Sequence, residues 1–184
     1  IKDSSHLRVL YGNLAPEGAV AKITGKEGLL FTGSAKVFNS EEQMIKSLKE
    51  GKINKRDAIL IRYQGESIGC PEMLNATSAL VGYFGNENVP PLLTDGRFSG
   101  GSRGILIAHL PDAYKENSIT RYIENNDFIT IDLENNEIDI TIDFVKLLNR
   151  KRYYKEKNIE YSYSNSYLKK YNKLVTNIND GYIT

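Results

Sequence analysis

Short apolar runs separated by glycine-containing turns fill the first part of the chain. Their β-branched and aromatic residues, and their length, predict strands over residues 7–11, 19–24, 29–31 and 35–38. Ser40 then precedes apolar residues at helical spacing, with Gln43 three residues after it. This pattern predicts a capped helix over about 40–50.

The rest of the chain alternates strands and helices. Residues 57–63 predict a buried strand, and Pro71 predicts a helix that begins there with Glu72 in its first turn. A further strand is expected at 91–94. The predicted elements of the last third are a half-solvated hairpin over 128–133 and 137–142, a basic amphipathic helix over 144–157, and a helical or irregular tail over about 150–184.

Length and charge limit the classes of function. The 184 residues suffice for one sizeable core, so we expect a single domain over 1–184. The 24 Lys and Arg against 23 Asp and Glu give a net charge of +1, which creates no global attraction for nucleic acid or an anionic membrane. No apolar run approaches the roughly 20 residues of a membrane span. We therefore expect a soluble, cytoplasmic protein that binds neither.

The content of cysteine and histidine restricts metal chemistry. Cys70 is the single cysteine, which excludes an internal disulfide, and His6 and His109 are the two histidines. Together they cannot form an ordinary four-ligand zinc or iron–sulfur site. The sequence begins with Ile1 rather than Met, which favours a piece of a longer polypeptide.

The loop 94–104 is the strongest candidate site, and it places Ser99 among four glycines. Without Cβ atoms, Gly100 and Gly101 can bring main-chain N–H groups close to an anion. The loop either binds a ligand or only connects two elements. Like loop 64–71, it follows a predicted strand, so both loops are expected at one edge of an α/β or mixed-barrel domain.

The other polar residues have simpler interpretations. We expect Asp95 to brace the turn, Arg97 to pair with a carboxylate of the fold, and Lys22 to be solvated. His109 is expected to be a satisfied core or rim histidine rather than a base. The basic run at 150–152 is expected to be a solvent-facing helix end.

Four ordered motifs resemble one family, the dihydroxy-acid and sugar-acid dehydratases, in its C-terminal domain. The motifs are LYGNLAPEGAVAK at 10–22, FTGSAKVF at 31–38, IRYQG at 61–65 leading to PEML at 71–74, and TDGRFSGG at 94–101. Together they span most of the chain. The resemblance implies a mixed α/β fold, a β-barrel flanked by helices, similar to the swivelling domain of aconitase-like enzymes.

The resemblance also implies a reaction and its residues. Members of the family remove water from a 2,3-dihydroxy carboxylic acid to give a 2-oxo acid, with an iron–sulfur cluster and a divalent cation, usually Mg²⁺. Ser99 matches the serine that accepts the C2 proton, and Glu72 matches a metal ligand. Ser99, Gly100 and Ser102 match substrate-binding positions, although Ser102 is equally compatible with a local turn hydroxyl. A serine hydroxyl needs nearby cations and amide donors to act as a base at neutral pH.

By the same resemblance, an N-terminal domain supplies the cluster cysteines, the remaining metal ligands and a carbamylated lysine. None of these lies in the 184 residues, so we expect this chain alone to be inactive and its parent protein to form a homodimer or larger assembly. The motifs at 22–28 and 97–101 favour a dihydroxy-acid dehydratase of valine and isoleucine synthesis.

Loop 64–71 departs from the usual family form: it lacks a basic residue, adds Glu66, and has Cys70 in place of Met. Cys70 is compatible with cluster ligation, but a lone cysteine in place of Met favours packing. Because of these departures, a sugar-acid dehydratase stays open as an alternative. A non-catalytic binding or assembly module is the alternative of another class.

Overall fold

The computed structural model describes residues 6–23, 28–99, 103–157 and 166–184. In these ranges the chain is mixed α/β, with eight strands in one sheet and four α-helices. The strands are β1 Leu7–Leu10, β2 Ala19–Lys22, β3 Leu30–Phe38, β4 Asp57–Ile61, β5 Leu92–Thr94, β6 Leu106–Ala108, β7 Phe128–Asp132 and β8 Glu137–Thr141. The helices are α1 Glu41–Lys49, α2 Leu74–Phe84, α3 Phe144–Glu156 and α4 Ser166–Leu174.

The sheet curls into a barrel. Its strand order is β1-β2-β6-β5-β4-β3-β7-β8. The pairs β6–β5, β5–β4 and β4–β3 are parallel, and the other pairs are antiparallel. Tyr11 joins the two outermost strands. Its N–H donates to the Asn136 carbonyl at 2.9 Å, and its carbonyl accepts from the Ile138 N–H at 2.8 Å. The predicted mixed barrel flanked by helices is therefore confirmed.

Two apolar layers hold the barrel together. The interior is filled by small and branched side chains that point inward from the strands, including Ala21, Ala58, Leu60, Ile107 and Ile129. A second layer lies between the parallel strands and helices α1 and α2. All five residues of β4 are buried because one of its faces lines the interior and the other meets the helices.

Several predicted elements are confirmed. Ser40 caps α1 and accepts a hydrogen bond from the Gln43 N–H, as the spacing predicts. The hairpin is present as β7 and β8, and the basic helix as α3, capped by Asp143. No helix within the described ranges is long and apolar enough to cross a membrane.

Two predicted boundaries are wrong. One strand, β3, runs from residue 30 to 38 where two strands were predicted at 29–31 and 35–38, and Gly33 lies inside it rather than in a turn. A Cβ on Gly33 would lie 2.4 Å from the Arg56 carbonyl oxygen, so glycine serves close backbone approach there. Helix α2 begins at Leu74, not at Pro71, and Glu72 precedes the helix.

Two arginines with little exposed side chain anchor the segment that leads into β7. Arg62 donates to the carbonyl oxygens of Arg121 at 2.7 Å and Ile123 at 3.0 Å. Arg150 donates to both carboxylate oxygens of Asp127, at 2.6 and 3.0 Å. The prediction of a solvent-facing basic run is therefore wrong for Arg150, because α3 packs this side chain against the barrel.

Candidate functional site

The two candidate loops lie at the carboxyl ends of the adjacent parallel strands β4 and β5, as expected. The buried carboxylate of Asp95 holds their starting points together. It accepts hydrogen bonds from the N–H groups of Tyr63 at 2.9 Å, Gln64 at 2.8 Å and Ala113 at 2.9 Å. The prediction that Asp95 braces the turn is confirmed, and the brace extends to the segment after β6.

Burial sets the electrostatics of this brace. Asp95 is 1% exposed, and desolvation, followed by the negative charge of Asp112, raises the pKa of its carboxyl to about 7. Asp112 is also buried and accepts from the N–H groups of Ser67 and Tyr114, each at 2.8 Å. Two buried carboxylates thus fix three loops at the carboxyl edge of the sheet.

Glu72 and the loop 94–104, called the serine loop below, are joined by their backbones. Glu72 forms an isolated parallel bridge with Arg97, and the Met73 N–H donates to the Arg97 carbonyl at 3.0 Å. A Cβ on Gly96 would lie 2.8 Å from the Met73 side chain, so the two loops are in tight contact. Glu72 is exposed, and half-buried Ser99 follows Arg97 by two residues. The bridge therefore places the predicted metal ligand and the predicted base on adjoining loops.

The remaining predicted substrate-binding residues, Gly100 and Ser102, lie outside the described residues. Arg97 is described and its side chain is exposed. Within the described part of the chain, its guanidinium forms no ion pair with a carboxylate. The predicted pairing of Arg97 therefore has no partner among the described residues, and the contribution of Arg97 that they show is the backbone bridge to Glu72.

Lys22 is the residue that sequence reasoning missed. It ends β2, and its Nζ lies 3.4 Å from the Ser99 carbonyl oxygen. Burial lowers the pKa of its ammonium group. Lys22 is half-buried rather than fully solvated as predicted, because its side chain lies against the backbone of Ser99. No local sequence signal reports that contact, since Lys22 and Ser99 are 77 positions apart.

Three polar side chains meet behind the serine loop. His109 donates its backbone N–H to the Gly96 carbonyl at 3.0 Å, and its Nδ1 lies 3.9 Å from Cys70 Sγ and 3.5 Å from the Tyr182 hydroxyl. All three have positive φ, at 60° for His109, 51° for Cys70 and 55° for Tyr182. Such backbone conformations are uncommon for residues with a Cβ. The C-terminal tail therefore contacts both the loop after β4 and the segment after β6.

Burial, and then the charge of Arg97, lower the pKa of His109, and burial raises the pKa of the Cys70 thiol. His109 is half-buried at the rim, and Cys70 is buried in the position expected of a packing residue. His109 also lines a cavity of about 320 Å³ between the barrel and residues 177–179 of the tail. Cys70 therefore lies beneath the tail rather than on an open surface.

The donor set of the described residues does not form a complete metal centre. They contain no group of three or more His, Cys, Asp or Glu side chains that could hold a metal ion. Glu72 offers a single exposed carboxylate of the hard-oxygen type that Mg²⁺ prefers. It can contribute one ligand to a cation whose other ligands come from outside the described residues.

Comparison with known proteins gives a consistent result. The family "Dihydroxy-acid/6-phosphogluconate dehydratase C-terminal" matches residues 1–182. A dihydroxy-acid dehydratase of Francisella tularensis subsp. novicida is 46% identical over 187 residues, covering 100% of this chain and 33% of that protein. A mitochondrial dihydroxy-acid dehydratase of Saccharomyces cerevisiae is 44% identical over 185 residues, covering 98% of this chain and 31% of that protein.

A third relative, the dihydroxy-acid dehydratase of Flavobacterium psychrophilum, is 41% identical and covers 100% of this chain. The chain thus spans about a third of the length of the relatives that it matches. Its match to a C-terminal family over residues 1–182 corresponds to that share. The chain belongs to the dihydroxy-acid/6-phosphogluconate dehydratase family and corresponds to its C-terminal domain.

Proposed function

We propose that this chain is the base-bearing domain of a hydro-lyase that converts a 2,3-dihydroxy carboxylic acid to a 2-oxo acid. The observation that carries the proposal is the backbone bridge between Glu72 and Arg97, which puts a carboxylate and Ser99 on adjoining loops. The names of the relatives, all dihydroxy-acid dehydratases, support the same reaction. Because the chain spans only a third of those proteins, the activity is proposed for the parent protein.

Ser99 is the general base of the proposed reaction. Its alkoxide takes the proton from C2, the electron pair of that C–H bond forms a C2–C3 double bond, and the 3-hydroxyl leaves. The resulting enol loses its 2-hydroxyl proton and gains a proton at C3, which gives the 2-oxo acid. The proton held by Ser99 leaves with the 3-hydroxyl as water. A positioned base of this kind contributes about 10²–10⁴-fold to the rate.

The parent protein would supply an iron–sulfur cluster and a divalent cation such as Mg²⁺, whose Lewis acidity favours loss of the hydroxyl. Glu72 is the residue of this chain that would hold the divalent cation, since it presents an exposed anionic oxygen. Cys70 is a poor cluster ligand, because it is buried and its thiol pKa is raised. The cluster ligands are therefore assigned to the remainder of the parent protein.

The substrate would be bound by the serine loop. Ser99, the Gly100 N–H and the Ser102 hydroxyl are the proposed contacts, with Gly100 as an amide donor and Ser102 as a donor to the substrate carboxylate. We assign the branched dihydroxy acids of valine and isoleucine synthesis as substrates, in a cytoplasmic enzyme that forms a homodimer or larger assembly. The names of the relatives favour this class over the aldonic acids.

The test is a substrate comparison with anaerobically prepared parent protein, loaded with cluster and Mg²⁺. Release of 2-oxo acid is measured from 2,3-dihydroxyisovalerate and from gluconate. Higher kcat/KM for the branched acid is the expected result, and higher kcat/KM for gluconate would move the assignment to the sugar acids. Turnover of neither acid by loaded protein would contradict the proposal and favour a non-catalytic binding module.

A further inference from the structure

The described structure places the cationic side chain of Lys22 against the backbone of Ser99. Its Nζ donates to the Ser99 carbonyl oxygen at 3.4 Å, so the charge lies beside the residue whose hydroxyl must become anionic. This contact links β2, a strand in the wall of the barrel, to the loop that follows β5. The lysine therefore connects a rigid element to the proposed base.

The placement of Lys22 is set by the strand register. Lys22 pairs with Leu7 on β1 and with Leu106 on β6, and the alternation along β2 buries Ala19 and Ala21 in the interior. The lysine side chain therefore points to the outer face of the barrel, where the serine loop lies. A side chain at the end of a paired strand has a fixed direction, which favours a precise contact.

Holding the charge of Lys22 near the serine loop costs part of its hydration energy. Burial lowers the pKa of its ammonium, so the fold removes part of the hydration of this cation to hold it beside Ser99. A lysine whose only contribution was solubility would be expected to extend into water. The partial desolvation also strengthens the interaction of this charge with a neighbouring anion.

We propose that Lys22 positions and activates Ser99: its ammonium fixes the serine loop through the Ser99 carbonyl and favours the alkoxide form of the hydroxyl. This inference rests on the proposed function, since it concerns the same base. Lys22 acts here as a positioning residue, because its described contact is with the backbone of Ser99 and not with the substrate.

The effect of Lys22 on the pH profile can be separated from that of the other charged groups nearby. Among the described residues, the ionisable groups near the serine loop include Arg97 on the loop itself, Glu72 across the backbone bridge, and His109 behind Gly96. On the neighbouring strand β1, Arg8 pairs with the inward-facing Ala21, so it does not share the outer face with Lys22. Arg8 donates instead to the Leu133 carbonyl. Substitution of Lys22 leaves all four groups in place, so a change in the profile reports the lysine.

Three variants of the loaded parent protein separate position from charge. Lys22→Arg keeps the donor and the charge, Lys22→Gln keeps a donor without the charge, and Lys22→Met keeps neither. The expected result is an acidic limb of the kcat/KM profile that moves to higher pH by about one unit in Lys22→Gln and Lys22→Met, and stays in place in Lys22→Arg. At pH values below that limb, a shift of this size corresponds to about tenfold lower kcat/KM.

Hydrogen exchange of the amides in residues 95–99 tests the positioning half independently of turnover. Faster exchange is expected in Lys22→Met than in Lys22→Gln. Lys36→Met is the matched control, because Lys36 is also a half-buried lysine on a strand, and three strands separate β3 from β2 in the sheet. This control is expected to retain the wild-type pH profile and exchange rates.

An unshifted acidic limb in both Lys22→Gln and Lys22→Met would contradict the proposal that Lys22 activates Ser99, even if kcat fell. Wild-type exchange in Lys22→Met would overturn the positioning. Absence of turnover by the loaded wild-type parent protein would contradict the proposed function instead, and the exchange experiment would then decide whether Lys22 holds the loop. If Lys22→Met failed to fold, Lys22→Gln and Lys22→Arg would still decide the role of the charge.

Discussion

Arg150 donates two hydrogen bonds to Asp127, from Nη1 to Oδ2 at 2.6 Å and from Nη2 to Oδ1 at 3.0 Å. Both side chains are nearly buried. The pair fastens α3 to the residue that precedes β7. The Nε group of Arg150 also lies 3.1 Å from Glu124 Oε2, which ties the same arginine to the preceding turn. One guanidinium thus links helix α3 to the segment that leads into β7.

Removal of this guanidinium should destabilise the fold. Arg150→Met leaves the Asp127 carboxylate nearly buried without its cation, and we expect a loss of about 3 kcal/mol in the free energy of unfolding. Urea unfolding of this chain measures the change. Lys151→Met is the matched control on the same helix, since that residue is exposed, and a comparable loss in the control would contradict the argument.

The buried Asp95 carboxyl predicts a pH dependence of stability. Its pKa is raised in the folded state to about 7 from an ordinary value of 3.8, so the folded state binds the proton more tightly than the unfolded chain does. The contribution is therefore complete below about pH 4 and is lost as the pH rises through about 7, by at most about 4 kcal/mol.

Unfolding free energies of the wild type and of Asp95→Asn, measured between pH 4 and pH 8, test this dependence. The variant should show a flatter profile, with lower stability at pH 5, because the Asn amide nitrogen cannot accept the hydrogen bond from a backbone N–H. Profiles of equal slope would show that Asp95 is not the titrating group.

Ser99→Ala should remove the base and leave the fold intact. We expect kcat of the loaded parent protein to fall by about a thousandfold or more, with little change in the cluster spectrum, because the hydroxyl is the proposed proton acceptor. Ser78→Ala is a control of the same chemistry, since Ser78 is exposed on α2. Turnover by Ser99→Ala at the wild-type rate would reject the assignment.

Glu72→Gln should weaken binding of the divalent cation. Replacing an anionic oxygen by a neutral one removes a favourable charge interaction with Mg²⁺, so we expect the dissociation constant to rise about tenfold or more. Titration of metal-depleted parent protein with Mg²⁺ measures it. Glu87→Gln, at an exposed position after α2, provides the comparison, and equal affinities in the two variants would remove Glu72 from the coordination sphere.

Much of the fold could be predicted from local patterns. Alternating apolar and polar residues predict β7 and β8 because one face of that hairpin is buried, and the Ser40 cap predicts the start of α1 because the contact is local. Gly33 misleads because its role is close approach to Arg56, which depends on pairing between β3 and β4. Pro71 misleads because the bridge to Arg97 keeps the following residues extended until Met73.

The residues of the candidate site also fall into those that the sequence predicts and those that it does not. The glycines around Ser99 predict a candidate loop, but the roles of Ser99 and Glu72 are predicted only through the resemblance to a family, and the structure then brings their loops together. Lys22 and Arg150 have no local signal, since their partners lie 77 and 23 positions away. A solvated lysine and a half-buried one can have the same sequence neighbours when the loop that contacts the lysine comes from elsewhere in the chain.

The bridge between Glu72 and Arg97 is made by main-chain atoms, and this has a consequence for divergence of the family. Main-chain contacts place few demands on side-chain identity, so residues 64–70 can change while the two loops stay joined. Glu66 and Cys70, at which the resemblance predicts a departure from the usual family form, lie in this stretch. Point substitutions at these two positions therefore leave the main chain that joins the two loops unchanged.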